Sequence, residues 1–138
     1  MDQPSSPMPR STGVLLHPTA LPGSPVCGSF GEPCRRWLRL LADNDIGVWQ
    51  MLPLAPPDPT GSPYSSPSCF ALNPWFLDAA DLAVEGFISG EQLAGLPWAN
   101  APTDDVAALS FTQARERSQA ISDALLHSWS EQSAERHQ

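Results

Sequence analysis

Two short apolar runs near the start of the chain set the pattern of the first fifty or so residues. The first covers residues 13–17 and reads G-V-L-L-H before Pro18 ends it. The second covers residues 46–52 and reads I-G-V-W-Q-M-L before Pro53. Short apolar runs bounded by breakers are typical of buried β-strands. The sequence therefore predicts two buried strands at these positions.

Between the two runs, residues 32–44 predict an amphipathic helix. Its apolar side chains recur at helical spacing and form one stripe, which consists of Cys34, Trp37, Leu38 and Leu41. A strand, a helix and a second strand in so short a stretch form a βαβ unit. The two strands should run parallel, with a right-handed crossover.

A loop rich in Pro, Ser and Gly follows over residues 53–74. It exceeds the usual length of about two to six residues for such a connection, which indicates that the loop either has a functional role or is itself packed. Helical patterns then recur over residues 81–86, from Ser89 to about residue 95, and from Ser110 onward. Ser89 and Ser110 each precede a Gln by three residues, which is the capping-box pattern. The last helix should bury one face, formed by Phe111, Ala114, Ile121, Leu125 and Trp129.

Net charge limits the classes of partner. The chain has a formal charge of −8, a pI of about 4.5 and no Lys. It lacks the basic patch that nucleic acids or anionic membrane surfaces require, so a neutral ligand fits better. No apolar run is long enough to span a membrane, and the N-terminus does not read as a secretory signal. We expect neither a nucleic-acid nor a membrane partner.

The residue types that could carry chemistry are few. Cys27, Cys34 and Cys69 are odd in number and form no C-x-x-C motif, which favours reduced thiols in a cytosolic setting. The three His do not have metal-ligand spacing, and we expect no metal or organic cofactor. His17 has either a functional role or a hydrogen bond to the following loop, and the second is the simpler interpretation. Gln50 either bonds inside the fold or reaches a ligand.

Two strands cannot complete a sheet, and an isolated βαβ unit would leave apolar faces uncovered. The pattern therefore predicts the first part of a larger α/β protein. Residues 1–11 are expected to be a disordered tail.

Three sequence blocks then resemble the N-terminal region of the amylomaltases, or 4-alpha-glucanotransferases. The blocks are residues 13–23 (G-V-L-L-H-P-T-A-L-P-G), 49–56 (W-Q-M-L-P-L-A-P) and 62–74 (S-P-Y-S-S-P-S-C-F-A-L-N-P). They occur in the family's order and at compatible spacing, and the resemblance covers about residues 10–90. Together the three blocks are specific, whereas S-P-Y alone would carry little weight.

The resemblance implies a (β/α)8 barrel of the α-amylase type, incomplete in this chain. Residues 12–138 would form its N-terminal portion and the start of an inserted helical subdomain. The implied reaction is retaining transfer of α-1,4-glucan segments between maltodextrins or to glucose, in the cytoplasm, with two carboxyl groups about 5 Å apart. In the family these acids lie on later strands, so we expect no catalytic residue in this chain, which alone should be inactive.

The resemblance assigns substrate contact to Tyr64, which would stack on the sugar beside the scissile bond, and to Ser62 nearby. An aromatic ring packs well on the apolar C–H face of a sugar. Without the resemblance, Tyr64 would more simply be a residue that packs the loop. Residues 57–61 (P-D-P-T-G) depart from the family's T-G-Y-G-D, and Pro59 replaces an aromatic that contributes an accessory glucan contact in some members.

Two alternatives stay open at this point. The chain could be a truncated, catalytically inactive carbohydrate-binding or interaction module. Alternatively, Pro56, Pro57 and Pro59 could form a polyproline ligand for an aromatic-lined domain, although this motif is weak.

Overall fold

The computed structural model describes residues 10–24, 26–98 and 110–136, with side chains described up to residue 130. The strands are β1 (Gly13–Leu15) and β2 (Val48–Gln50), and the helices are α1 (Glu32–Asp43), α2 (Ala79–Val84), α3 (Gly90–Gly95) and α4 (Phe111–Arg136). Two single 3-10 turns, Pro18–Ala20 and Pro74–Phe76, complete the described elements. None of the described helices combines the length and the apolar character needed to cross a bilayer. The predicted tail lies mostly outside the described residues.

The βαβ unit predicted from the sequence is confirmed. β1 pairs with β2 in parallel, with Gly13 opposite Val48 and Leu15 opposite Gln50, and α1 makes the connection. Both strands are shorter than predicted. The Trp37 ring on α1 packs edge-on against Trp49 of β2, with ring centroids 6.2 Å apart, which attaches the helix to the sheet.

The prediction that both strands are buried was wrong. Leu15 and Val48 are 56% and 45% exposed, and Gln50 is exposed as well. A two-stranded sheet has two faces and two edges. Among the described elements, only α1 packs on it, so side chains on the rest of the sheet surface stay exposed. Leu38 of the α1 stripe is also exposed, whereas Cys34 and Leu41 are buried.

The short helices follow their local signals. α3 has the full capping box, with the Ser89 side chain accepting from the Gln92 N–H and the Gln92 side chain accepting from the Ser89 N–H. α2 begins earlier than predicted because Asp78 caps it, accepting from the N–H groups of Ala80 and Asp81.

The best-covered core lies where α4 meets the Pro74–Phe76 turn. Its buried residues are Val26, Cys27, Trp75 and Ala114. The predicted face of α4 was partly wrong. Trp129 is 70% exposed, and the buried positions of the helix are Ala114, Arg117, Ser118, Ile121 and Ser128. These residues recur at helical spacing and form a face next to Trp129. Three of them are polar, so a prediction from hydropathy alone does not identify this face.

Candidate functional site

The long loop leaves β2 and folds around an open cleft of about 500 Å³, whose lining residues all belong to the loop. Aromatic and aliphatic side chains line it, among them Leu54, Tyr64, Phe70 and Leu72. Tyr64 is 72% exposed and Phe70 is 94% exposed, so both rings are open to a ligand. An apolar cleft beside the carboxyl end of a parallel strand is a common place for a binding site in α/β proteins.

Asp58 organises the turn that leads into the cleft. Its Oδ1 accepts hydrogen bonds from the Thr60 N–H at 2.9 Å, the Thr60 hydroxyl at 2.7 Å and the Ser62 N–H at 2.9 Å. The Thr60 hydroxyl, followed by these amide donors, holds the pKa of the Asp58 carboxyl below its usual value. The turn therefore fixes Ser62 through its backbone. Ser62 itself does not line the cleft that holds Tyr64.

His17 ties the end of β1 to the start of the long loop. Its Nδ1 lies 2.7 Å from the Thr19 hydroxyl, and its Nε2 lies 3.4 Å from the Pro53 carbonyl oxygen. Because a carbonyl can only accept, Nε2–H is the donor and Nδ1 accepts from Thr19. Burial lowers the pKa of His17, partly offset by the bond to Pro53. The predicted hydrogen bond to the following loop is confirmed.

Two carboxylates away from the cleft have structural partners: Asp78 caps α2, and Asp81 forms an ion pair. The Asp78 Oδ2 accepts from the Ser29 hydroxyl at 2.6 Å, in addition to its capping bonds. Asp81 forms a bidentate pair with Arg35 at 2.7 and 2.8 Å, and the Arg35 side chain also contacts Glu32. The Arg35 guanidinium keeps the pKa values of Asp81 and Glu32 below their usual range. These acids are exposed or half-buried and already satisfied.

A buried cation joins α4 to two backbone carbonyls. Arg117 donates to the Cys27 oxygen at 3.2 Å and to the Trp75 oxygen at 2.9 Å. Burial raises the pKa of the Cys27 thiol, and the nearby Arg117 charge partly offsets this effect. Cys27, Cys34 and Cys69 are all present as free thiols. Among the described residues no cluster of His, Cys, Asp and Glu could hold a metal ion.

Comparison with known proteins identifies the family of the chain. The profile of a protein family described as 4-alpha-glucanotransferase matches residues 16–138. The chain belongs to the 4-alpha-glucanotransferase family. The identification made from the three sequence blocks is therefore confirmed. The match also extends beyond the blocks, through the region of α4.

Individual 4-alpha-glucanotransferases agree with this assignment over the N-terminal region. The chain is 42% identical over 88 residues to the Synechocystis enzyme, covering 64% of this chain and 17% of the relative. It is 44% identical over 81 residues to the Thermus thermophilus enzyme, covering 59% and 16%. The chain thus spans about a sixth of the length of these relatives.

A solved family structure supports the backbone arrangement. The amylomaltase from Streptococcus agalactiae in complex with acarbose superimposes with a TM-score of 0.73 at 29% identity. The likeness covers 87% of this chain and 23% of that chain. The α/β character predicted from the sequence is confirmed, because the described chain is α/β and its structural neighbour is an amylomaltase.

The sequence directed attention to Tyr64 and Ser62, and only Tyr64 lies in the cleft. It missed Phe70, whose position in S-C-F-A resembles an ordinary buried aromatic. It also missed Asp58, although an Asp three residues before a Gly is a turn signal.

Proposed function

We propose that this chain forms the N-terminal part of a (β/α)8 4-alpha-glucanotransferase that transfers α-1,4-glucan segments between maltodextrins, with glucose as one acceptor. The observation that carries the proposal is the family match over residues 16–138. The parallel β1–α1–β2 unit supports it, because it is the repeating element of such a barrel. The likeness to an amylomaltase solved with acarbose supports the substrate class.

Within this function, Tyr64 is the residue that contacts the sugar beside the scissile bond. Its ring is exposed in a cleft that begins just after β2, and ligands of such barrels bind at the carboxyl ends of the strands. The ring covers the apolar C–H face of a pyranose, and the phenol can exchange hydrogen bonds with its hydroxyls. Ser62, held by Asp58, contributes from the turn beside the cleft.

The reaction proceeds by two displacements with retention at the anomeric carbon. One carboxylate attacks that carbon, while a second carboxyl group protonates the leaving oxygen and then deprotonates the acceptor hydroxyl. The described acids support placing both groups on later strands, outside this chain. Asp58, Asp78 and Asp81 are bonded to backbone amides, a serine hydroxyl or Arg35, so none is poised as a nucleophile. We therefore expect the 138-residue chain to be inactive on its own.

The proposal includes a cytoplasmic location and needs no metal or organic cofactor, since retaining transfer uses carboxyl groups alone. It also excludes nucleic acid and membranes as partners, in keeping with the net charge of −8.

The test is a disproportionation assay with maltotriose. It is run on the 138-residue chain and on the protein as its own organism produces it, which we call the natural gene product. We expect glucose and longer oligomers from the natural gene product and none from the chain alone. Tyr64→Ala should lower kcat/KM of the natural gene product about tenfold or more, since a lost aromatic contact is worth about 1 kcal/mol beyond its buried area. Trp129→Ala is the matched control, because it removes an equally exposed aromatic far along α4.

Other outcomes would point elsewhere. Turnover by the chain alone would mean that its own carboxylates do the chemistry and that the placement of the acids is wrong. A natural gene product that binds acarbose but turns nothing over would favour the alternative of a truncated, inactive carbohydrate-binding module. The exposed apolar residues of the cleft favour that second candidate over the polyproline ligand, because they form a concave surface.

A further inference from the structure

Phe111, the first residue of α4, packs against the turn that precedes Tyr64. Gly61 has a φ of +85°, and a methyl group built on it would overlap the ring of Phe111. The same ring stacks on Trp75, with centroids 5.7 Å apart and an interplanar angle of 24°. Phe111 therefore lies between the Gly61 turn, inside the long loop, and Trp75, directly after the loop. Gly61, Pro63, Trp75 and Phe111 also line one small cavity, in agreement with their proximity.

The far end of the loop is fixed from the same helix. Arg117 is 6% exposed and donates to the Trp75 oxygen at 2.9 Å. The Trp75 N–H in turn donates to the buried Asn73 Oδ1 at 3.0 Å. α4 thus holds residues 73–75 through Arg117 while it touches Gly61 through Phe111.

The segment that would contact the sugar lies between these two fixed points. Ser62 follows Gly61 directly, and Tyr64 follows Pro63, while the Tyr64 ring itself stays exposed. A loop segment that is already fixed on both sides loses less conformational freedom when a ligand orders it. The packing of α4 therefore bears on the affinity of the cleft.

We infer that Phe111 is a positioning residue for the substrate loop: it holds the Gly61 turn against Trp75 and thereby keeps Ser62 and Tyr64 in place for the glucan. The inference rests on the proposed function. Phe111 does not touch the sugar, and its effect passes through the loop. It follows that α4 tunes substrate affinity although it lies outside the strand ends.

The kinetic test is a double-mutant cycle between Phe111 and Tyr64 in the natural gene product. Phe111→Ala should raise KM for maltotriose about tenfold, with a smaller change in kcat, because small misplacements of binding groups have large effects. In the Tyr64→Ala background the same change should cost at most about twofold, since a residue that acts through Tyr64 has nothing left to position. Trp129→Ala on the same helix is the control and should leave KM unchanged. Phe111→Leu, which keeps most of the apolar contact, should give an intermediate KM and replaces Phe111→Ala if that variant fails to fold.

A second readout does not depend on activity. Cys69 is exposed in the loop, whereas Cys27 and Cys34 are buried and burial raises the pKa of both thiols. A spin label should therefore react first at Cys69, and Cys69→Ser identifies its signal. Phe111→Ala should make the label on Cys69 more mobile, and Trp129→Ala should not.

The outcomes separate the two proposals. If Tyr64→Ala leaves kcat/KM unchanged while Phe111→Ala mobilises the label, the proposed substrate contact is wrong and Phe111 still positions the loop. If Tyr64→Ala impairs the enzyme but Phe111→Ala changes neither KM nor label mobility, the positioning role is overturned. Equal effects of Phe111→Ala with and without Tyr64 would also overturn it. A lower kcat at unchanged KM would overturn it as well, because it reflects a loss of folded enzyme and not a displaced loop.

Discussion

Two regions of the molecule differ in how well their side chains are buried. One is the α4 junction, where α4 packs on the Pro74–Phe76 turn, and the other is the two-stranded sheet. At the junction, a helix of mostly polar sequence packs on the Pro74–Phe76 turn and brings Ala114, Arg117 and Ile121 into nearly complete burial. In the sheet, Leu15 and Val48 belong to the most apolar runs of the chain and remain about half exposed.

The difference shows that the burial of a side chain depends more on which elements pack over it than on its own hydropathy. Arg117 can be buried because two carbonyl oxygens receive its guanidinium, which compensates the loss of water. Leu15 and Val48 are exposed because the described elements supply only α1 as cover. If the proposed barrel is correct, the sheet is where further strands and helices pack, and the junction is already complete.

The largest expected effect comes from Ile121, the most deeply buried large side chain of α4, at 1% exposure. Ile121→Ala should lower the free energy of local unfolding of α4 by about 3 kcal/mol, because the side chain leaves a cavity in a packed core. Hydrogen exchange of the α4 amides in the natural gene product measures this quantity. Leu126→Ala on the exposed side of the helix should cost less than about 0.5 kcal/mol. Equal costs for both variants would mean that the junction is not a core.

Arg117 should follow in size. Arg117→Leu removes the donors of the Cys27 and Trp75 carbonyls and should cost about 2 kcal/mol in the same exchange experiment, since two buried acceptors lose their partner. Lys at this position should recover only part of the loss, because its single ammonium group lacks the planar fork of a guanidinium. Arg115→Leu, an exposed change on the same helix, is the control. A neutral Arg117→Leu would show that apolar packing alone holds the junction.

The same contrast explains what the sequence could predict. β1, α1 and β2, the cap of α3 and the family motifs follow from signals a few residues long, which local chemistry settles. The buried face of α4 was not predictable in this way. Arg117 is buried because it donates hydrogen bonds to carbonyl groups that lie some 40 and 90 residues away in sequence. The motif predicts a substrate contact for Tyr64, which stays a prediction. Phe111 could not be identified in this way, because its contact with Gly61 depends on tertiary packing.

A change on the sheet should separate the chain from the natural gene product. Leu15→Ser should alter the unfolding free energy of the 138-residue chain by less than about 0.5 kcal/mol, because the side chain is already exposed. In the natural gene product, where we propose that further barrel elements cover this face, the same substitution should cost about 2 kcal/mol. Urea unfolding of the two proteins, each with and without the substitution, provides the comparison. Equal small effects in both would argue against cover of the sheet by the rest of the protein.

The smallest effect should be a pH dependence at the point where sheet and loop meet. Burial lowers the pKa of His17 in the folded chain, so the unfolded chain binds its proton more readily. The stability that neutral His17 provides is complete above about pH 6.5, the unfolded value, and falls as the pH drops through the folded pKa. Unfolding midpoints at pH 7.5 and 5.5 should therefore differ more for the wild-type protein than for His17→Gln, which cannot be protonated. A His17→Gln protein with the full pH dependence would show that the contact between His17 and Pro53 does not link the protonation of His17 to folding.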